Sequence, residues 1–303
     1  MKKILTFILF SICLVTNTQA QLLYQISGNG LEQPSYIVGT YHLAAPAFVD
    51  SIPGLRQVLD QCQQVYGEIE QSEMLDPANI MKYQQALMLP EGMTLSQLFT
   101  PEEMERIKTY ATNLAGPTAS LLLKQMEQMS PSAVSTTFEL LTYTKKSMRL
   151  DVTSTIDIYL QRCATEMGKK VGGLETVDFQ LEALYKGQTL ERQKQMLLCL
   201  VDNADFNEEM ADNIINCYHA QDLEGLKAAM DNKLGNECDN TPEEEARLIY
   251  NRNADWLTKM PAIMQEKSTL FAVGAAHLFG EKGVLHLLRE AGYDVTPYPA
   301  KQP

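Results

Sequence analysis

The chain has 303 residues, of which 45% are hydrophobic and 21% are charged. This composition, with 17 glycines and 13 prolines, excludes a collagen, a coiled-coil rod and a wholly disordered chain, and it is typical of a globular protein. The 38 acidic residues outnumber the 25 basic ones, so the net charge is −13. Because this charge repels phosphate backbones and anionic lipids, we expect no nucleic acid partner.

The N-terminus, residues 1–20, has the pattern of an export signal. Lys2 and Lys3 precede an apolar run, and small residues follow up to a predicted cleavage after Ala20. The apolar run is too short to span a bilayer. We therefore expect an exported mature protein, periplasmic or secreted, with no membrane span after signal cleavage.

Five cysteines follow the predicted cleavage position. An odd number cannot all pair, so we expect at most two disulfides, which an oxidising compartment would permit. Cys199, Cys217 and Cys238 share one predicted helical stretch and are the favoured place for a bridge. The spacing leaves the connectivity open, with Cys62 and Cys163 as the other candidates.

The predicted elements begin with strands at residues 22–27 and 36–38, which flank a Gly-Asn-Gly turn and indicate a hairpin. A helix begins near Pro53, and helices follow one another from about residue 75 to residue 167. One of them starts at a capping box on Thr100, with proline at the first helical position. We expect the remaining strands at residues 65–70, 170–173, 269–273 and 293–297.

Strands at both ends and helices between them predict an α/β fold. We expect a mixed sheet built from N- and C-terminal segments, with a large helical insertion at about residues 75–167. Further helices follow the strand at residues 170–173, and Thr241 begins one of them with a second capping box. We expect residues 21–303 to form a single domain.

An internal repeat carries the first chemical signal. The pattern V-G-x-x-H-L occurs at residues 38–43 and again at residues 273–278, each time after an apolar strand. Glycine allows unusual dihedral angles or a close backbone approach, and the histidine then lies beyond the carboxyl end of the strand, where open α/β sheets bind ligands. We expect His42 and His277 to share a site; the alternative is two hydrogen-bonded core histidines.

Carboxylates end the third predicted strand. Alternation places Glu68 and Glu70 on one face, and a buried acid needs a partner, a metal ion or a chemical role. Two neutral imidazoles and one carboxylate are a common three-ligand set, which predicts a divalent ion (Mn, Co, Zn or Fe) held by His42, Glu68 and His277. The alternative for the two glutamates is a solvated strand end.

Several motifs in the same order resemble the TraB/GumN family, which is related to the Tiki proteins regarded as metal-dependent proteases. They are V-G-x-x-H-L at residues 38–43, Y-G-E-I-E at 66–70, G-G-L-E-T at 172–176, R-N-x-x-W at 252–256 and F-A-V-G-A-A-H-L-F-G at 271–280. The resemblance implies an α/β core with both motif histidines and Glu68 at one site. It also implies hydrolysis that depends on a divalent metal ion.

The resemblance also implies roles for other residues. Glu175 matches the acid of G-G-L-E-T and Arg252 the arginine of R-N-x-x-W. Glu70 or Glu175 would activate water, and Arg252 would hold developing negative charge. The alternatives are a helix-cap neighbour for Glu175 and a surface ion pair for Arg252. Asp157 resembles a family aspartate.

Three interpretations of function stay open. The first is an exported metal-dependent hydrolase that acts on the peptide bonds of a peptide or protein substrate. The second is a non-catalytic metal- or ligand-binding envelope protein of the same fold, and the third is a purely structural protein. His219 and His286 lie in helical stretches without partner motifs, and we expect them to be structural or exposed.

Overall fold

The computed structural model describes residues 21–146 and 154–298, so the predicted export signal lies outside the described residues. A six-stranded sheet has the order β4-β3-β5-β2-β1-β6. The strands are β1 Leu23–Gly28, β2 Ser35–Thr40, β3 Gln64–Gly67, β4 Lys170–Gly173, β5 Thr269–Gly274 and β6 Tyr293–Pro297.

The sheet joins the two ends of the chain, as predicted. β1 pairs antiparallel with β2 and with β6, whereas β2–β5, β5–β3 and β3–β4 are parallel pairs. Every residue of β2, β3 and β5 is buried, which is why these strands appear in the sequence as apolar runs without alternation. The parallel pairs bring the carboxyl ends of β2, β3 and β5 to one edge of the sheet.

Helices fill the chain between the strands. The first group is α1 Leu55–Gln61, α2 Gln71–Leu75, α3 Pro77–Ala86, α4 Leu95–Leu98, α5 Pro101–Ala115, α6 Ala119–Met126, α7 Pro131–Lys146 and α8 Ile156–Glu166. The second group is α9 Val177–Leu181, α10 Leu190–Asp202, α11 Ala204–His219, α12 Leu223–Asp231, α13 Pro242–Glu245, α14 Asn251–Glu266 and α15 Val284–Glu290. The helices α3 to α8 occupy the predicted insertion between β3 and β4. Among the described helices, none combines the length and the apolar character needed to cross a membrane.

Local sequence signals set several helix starts. Thr100 and Thr241 each form the predicted capping box, in which the threonine hydroxyl accepts a hydrogen bond from the N3 backbone and the N3 glutamate accepts one from the threonine N–H. Proline at the first helical position costs no hydrogen bond there. These helices therefore begin where the sequence predicts.

Among the described residues, two large apolar clusters and a small third one of Ile69, Val177 and Leu181 organise the packing. The larger one surrounds the sheet and includes Trp256 and Phe271, both fully buried. The second lies among the helices of the insertion and includes Ile107 and Phe138, but it also takes in Leu197 from α10. Helices from both sides of β4 thus share one core.

The third strand is shorter than predicted. β3 ends at Gly67, whereas the prediction extended it to residue 70. Beyond Gly67 the backbone of Ile69 is held by Gln161, which accepts from the N–H of Gln71 and donates to the carbonyl of Ile69. α2 then begins at Gln71, so the alternation of a strand does not continue through Glu70.

A disulfide joins Cys199 of α10 to Cys238, in the loop between α12 and α13. It lies within the predicted cysteine cluster, while Cys62, Cys163 and Cys217 are free thiols. An ion pair holds the same loop: Arg192 donates two hydrogen bonds of 2.9 Å to the carboxylate of Glu244. These hydrogen bonds lower the pKa of Glu244 to about 2.

Replacing both Cys199 and Cys238 with serine is expected to lower the free energy of unfolding by about 4 kcal/mol, because the bridge closes a loop between residues 39 apart. Denaturant titration followed by circular dichroism measures the change. Cys217→Ser, at a free thiol on the neighbouring α11, is the matched control and should have a much smaller effect. An equal loss in both variants would contradict the assignment.

Glu244 should also make stability depend on pH. Its pKa is about 2 in the folded chain against an ordinary value of 4.5, so the unfolded chain binds more protons between these values. The stabilisation is present above the ordinary pKa and is lost as the pH falls toward 2. The stability difference between the wild type and Glu244→Gln should therefore shrink in acid, whereas Glu243→Gln, at an exposed neighbour, should give no such trend.

Candidate functional site

The two V-G-x-x-H-L turns meet at the carboxyl edge of the sheet. β2 and β5 are parallel neighbours, and Thr40 lies opposite Gly274. His42 follows β2 after a short loop, and His277 ends the 3-10 turn Ala275–His277 that follows β5. The histidines differ in exposure: the side chain of His42 is 61% exposed and that of His277 is 4% exposed. The site is therefore open to solvent on the His42 side.

The two motif glycines are needed for close packing. A Cβ atom on Gly39 would lie 2.8 Å from Leu278, and one on Gly274 would lie 3.2 Å from Glu68 Oε1 and 3.4 Å from His42 Nε2. Neither glycine has a positive φ. Close approach, rather than an unusual backbone conformation, is thus the reason for glycine at both positions.

Glu68 lies between the two imidazoles. Its Oε1 atom is 3.8 Å from His42 Nε2 and 3.9 Å from His277 Nε2, and it accepts a 2.8 Å hydrogen bond from the N–H of Gly274. Burial by itself would raise the pKa of this carboxyl, but electrostatic interactions with His42, His277 and Arg252 and the Gly274 hydrogen bond lower it to about 2. The carboxylate is therefore ionised.

Oxygen atoms fix the orientation of both rings. His277 Nδ1 is 2.6 Å from Asn253 Oδ1, and His42 Nδ1 is 3.2 Å from Asp157 Oδ2. A hydrogen on each Nδ1 satisfies these oxygens, so Nε2 is the nitrogen that faces Glu68. This arrangement presents two Nε2 atoms and one carboxylate oxygen to the same space.

The surroundings shift the pKa values of the two histidines in opposite directions. The charge of Asp157 is the largest influence on His42 and raises its pKa to about 9, while burial lowers the pKa of His277 to about 3. In the metal-free chain His42 is therefore protonated and His277 is neutral near neutral pH. A metal ion at His42 Nε2 would have to displace that proton.

Arg252 donates hydrogen bonds to both buried carboxylates of the site, Glu68 and Glu175. Its Nη2 atom donates to Glu68 Oε2 and to Glu175 Oε1, each at 2.5 Å, and its Nε donates to Glu175 Oε2 at 3.1 Å. Nη1 lies 3.1 Å from His277 Nε2. Arg252 is only 4% exposed, so the alternative of a surface ion pair does not hold.

Glu175 is fully engaged beside Arg252. Besides the arginine, its oxygens accept hydrogen bonds from Trp256 Nε1 and Gln180 Nε2, both at 3.1 Å. The helix cap at this position comes from Thr176, whose hydroxyl accepts from the N–H of Phe179. Glu175 therefore faces the site and is not simply part of a cap.

Among the described residues, the Glu70 side chain makes no hydrogen bond or ion pair with these groups. Its carboxylate accepts a hydrogen bond from the Ser72 hydroxyl at the start of α2. The predicted common face for Glu68 and Glu70 is not seen, because the strand ends before either of them. Of the other histidines, His286 is exposed beside Glu290, and His219 packs edge-on against Phe48.

Two residues have a larger part in the geometry than the sequence suggests. Asn253 binds His277 Nδ1 and also donates to the carbonyls of His277 and Lys282, so it holds the second histidine turn. Asp157 binds both His42 and the Thr40 hydroxyl. The R-N-x-x-W motif contains Asn253, but its position beside a more conspicuous arginine concealed its role.

The donor types fit a divalent cation, although the side chains do not enclose one. Ligands held at about 2.1 Å from one ion lie closer together than the 3.8 and 3.9 Å separations around Glu68. Across residues 21–146 and 154–298, no group of three or more histidine, cysteine, aspartate or glutamate side chains is placed to hold a metal ion. Arg252 is instead the cation that contacts Glu68.

Known proteins resemble this chain over most of its length. It is 26% identical to metalloprotease TIKI1 of Danio rerio over 90% of the chain and 62% of that relative. It is 24% identical to the metalloprotease TIKI homolog of Nematostella vectensis, over 86% of the chain and 64% of the relative, and 27% identical to metalloprotease TIKI2 of Xenopus tropicalis, over 89% and 58%. The chain thus spans about six tenths of the length of these relatives. No solved structure gives a significant match.

The family model described as TraB/PrgY/gumN matches residues 22–297. This range contains all six strands and every residue of the site described above. The chain belongs to the TraB/PrgY/gumN family.

Proposed function

We propose that this protein is a metal-dependent hydrolase that cleaves peptide bonds, with His42, Glu68 and His277 as the metal ligands. The observation that carries the proposal is the position of both histidine Nε2 atoms, 3.8 and 3.9 Å from one oxygen of Glu68. The name metalloprotease, which the TIKI relatives bear, supports the reaction class and a protein substrate.

The metal supplies an activated water and a polarised carbonyl when it is bound at such a donor set, whichever divalent ion (Mn, Co, Zn or Fe) it is. The chain's own residues prepare the ligands. Asp157 and Asn253 keep the Nδ1 atoms occupied, so that Nε2 is presented in both rings. The exposed face of His42 leaves room for a substrate to approach.

We propose that Arg252 holds negative charge that develops on a substrate carbonyl oxygen through Nη1, the donor that faces His277 Nε2 in the metal-free chain, since its Nε and Nη2 atoms are bound to Glu68 and Glu175. It is fixed beside Glu68 and His277, and a guanidinium in a site with little water interacts strongly with such charge. Glu175 accepts hydrogen bonds from Arg252, Trp256 and Gln180, so we propose that it positions Arg252 and does not activate water. We assign no such role to Glu70, since its described hydrogen bond goes to Ser72.

We also propose that the protein acts outside the cytoplasm. The disulfide between Cys199 and Cys238 supports this location, because disulfides persist mainly in oxidising compartments.

The geometry also supports a second candidate, a protein that binds a metal ion or ligand without turnover. Arg252 already compensates the charge of Glu68 and contacts His277, so the site is electrostatically satisfied without an ion. Metal binding without hydrolysis of any peptide would favour this candidate.

His42→Ala and His277→Ala are each expected to abolish stoichiometric binding of Mn, Co or Zn, measured by elemental analysis after chelator-free purification with added metal. His286→Ala, at an exposed histidine outside the site, is the matched control and should keep the ion. Asp157→Asn should weaken metal affinity by about 10- to 100-fold, because it replaces the charged partner of His42 Nδ1 with a neutral amide without removing a ligand. Hydrolysis of a peptide library, read by mass spectrometry, should follow metal content. A metal-free wild type under these conditions would refute the proposal.

Arg252→Met is expected to lower the free energy of unfolding of chelator-treated protein by about 3–5 kcal/mol, because Glu175 would be left as a buried charge without a cation and Glu68 would keep only His42, at 3.8 Å. Urea titration measures the loss. Arg162→Met is the control: Arg162 forms an exposed pair with Glu166, and its loss should cost no more than about 1 kcal/mol. If both variants lost the same small amount, Arg252 would not be the cation that stabilises the site.

A further inference from the structure

A cleft of about 270 Å³ lies among the helices of the insertion and α10 to α12. Its walls come from α7, α10, α11 and the loop that carries Cys238. Three methionines line it, Met196, Met210 and Met230. Methionine is flexible and polarisable, so a methionine-lined surface adapts to apolar side chains of different shapes.

A second cleft, of about 740 Å³, adjoins the first. The two share Met230, Asn240 and Glu245. The second cleft reaches Ala276, which precedes His277, and Leu248, whose carbonyl accepts a hydrogen bond from Arg252. We call the two together the cap groove; it leads from the helical region to the residues beside the site.

Glu139 supplies an acidic group in the cap groove. It lies on α7 and is accessible to solvent, yet the surrounding protein raises its pKa to about 7. Among the described residues Glu139 forms no ion pair, whereas Lys227 and Lys233 of the same groove are paired with Asp231 and Glu245. Glu139 is thus a carboxyl group that no described lysine or arginine neutralises, and it is partly ionised near neutral pH.

Glu139 also lies near the start of the site. Tyr143 lies one turn after Glu139 on α7, and its ring packs against that of Tyr41, with 5.8 Å between the ring centroids. Tyr41 directly precedes His42. The part of the groove at Glu139 is therefore one helical turn from a residue that packs against the first histidine motif.

We propose that the cap groove binds an extended segment of the substrate peptide, with apolar side chains on the methionines and a lysine or arginine side chain against Glu139. A carboxylate in a cleft of low polarity attracts a cation more strongly than one on an open surface. That this peptide is a substrate rests on the proposed function, but its binding in the groove does not require turnover.

Fluorescein-labelled short peptides of alternating alanine and leucine, with lysine at one varied position, test the charge preference. Matched peptides carry norleucine at that position. Fluorescence anisotropy with chelator-treated protein measures Kd without hydrolysis. We expect the best lysine peptide to bind about tenfold more tightly than its norleucine partner, and Glu139→Gln to remove this preference.

Glu91→Gln, at an exposed acid in the loop before α4 and outside the groove, is the matched control and should keep the preference. Met230→Arg should weaken both kinds of peptide at least about tenfold, because it fills the junction of the two clefts. Met74→Arg, on α2, should not, although its exposure is similar (42% against 37% for Met230). Thermal unfolding would show that all four variants fold.

Absence of binding by every peptide, or a lysine preference that persists in Glu139→Gln, would overturn the inference. Hydrolysis of the same peptides with added Mn, Co or Zn separates it from the proposed function. Groove-dependent binding without cleavage would refute the peptidase and leave the groove. Cleavage that is unaffected by Glu139→Gln and Met230→Arg would refute the groove and leave the peptidase.

Discussion

The buried carboxylate of Glu68 is the constraint on which the site depends. A charge removed from water is costly unless other groups compensate it. Here an arginine, a backbone N–H and two imidazoles face its two oxygens. The N–H comes from β5, His277 from the turn after β5, His42 from the loop after β2 and Arg252 from α14. The charge of one side chain therefore holds segments that are distant in the sequence at one edge of the sheet.

The order of strands makes this convergence possible. β5 lies between β3 and β2, and all three run parallel. Their carboxyl ends therefore lie side by side. Glu68 follows β3, His42 follows β2 and His277 follows β5. Glycines at residues 39 and 274 leave room for the side chains that pack there.

The hydrogen bonds of Arg252 stabilise the metal-free site and also occupy atoms that the proposed metal would bind. In the metal-free chain the guanidinium satisfies Glu68 and Glu175, and it contacts the nitrogen of His277 that the proposed metal would need. In the proposed metal centre an ion would have to compete with this cation for the same carboxylate. Its affinity would therefore depend on how firmly Glu175 holds the arginine in place.

The sequence by itself determined the mixed α/β sheet from both termini, the two capping boxes and the repeated histidine turns, because each depends on local pattern: apolar runs, threonine three residues before glutamate, and glycine after a strand. Its motifs also singled out Glu68, Glu175 and Arg252. Only the tertiary structure decided which of these side chains touch. Glu70 does not share the predicted strand face with Glu68, because the strand ends at Gly67 and Gln161, distant in sequence, binds the backbone beyond it. Asn253 and Asp157 gained their roles because helix packing brings their oxygens against the imidazoles. Contacts between residues far apart in the chain depend on how whole elements pack, and no local pattern encodes that packing.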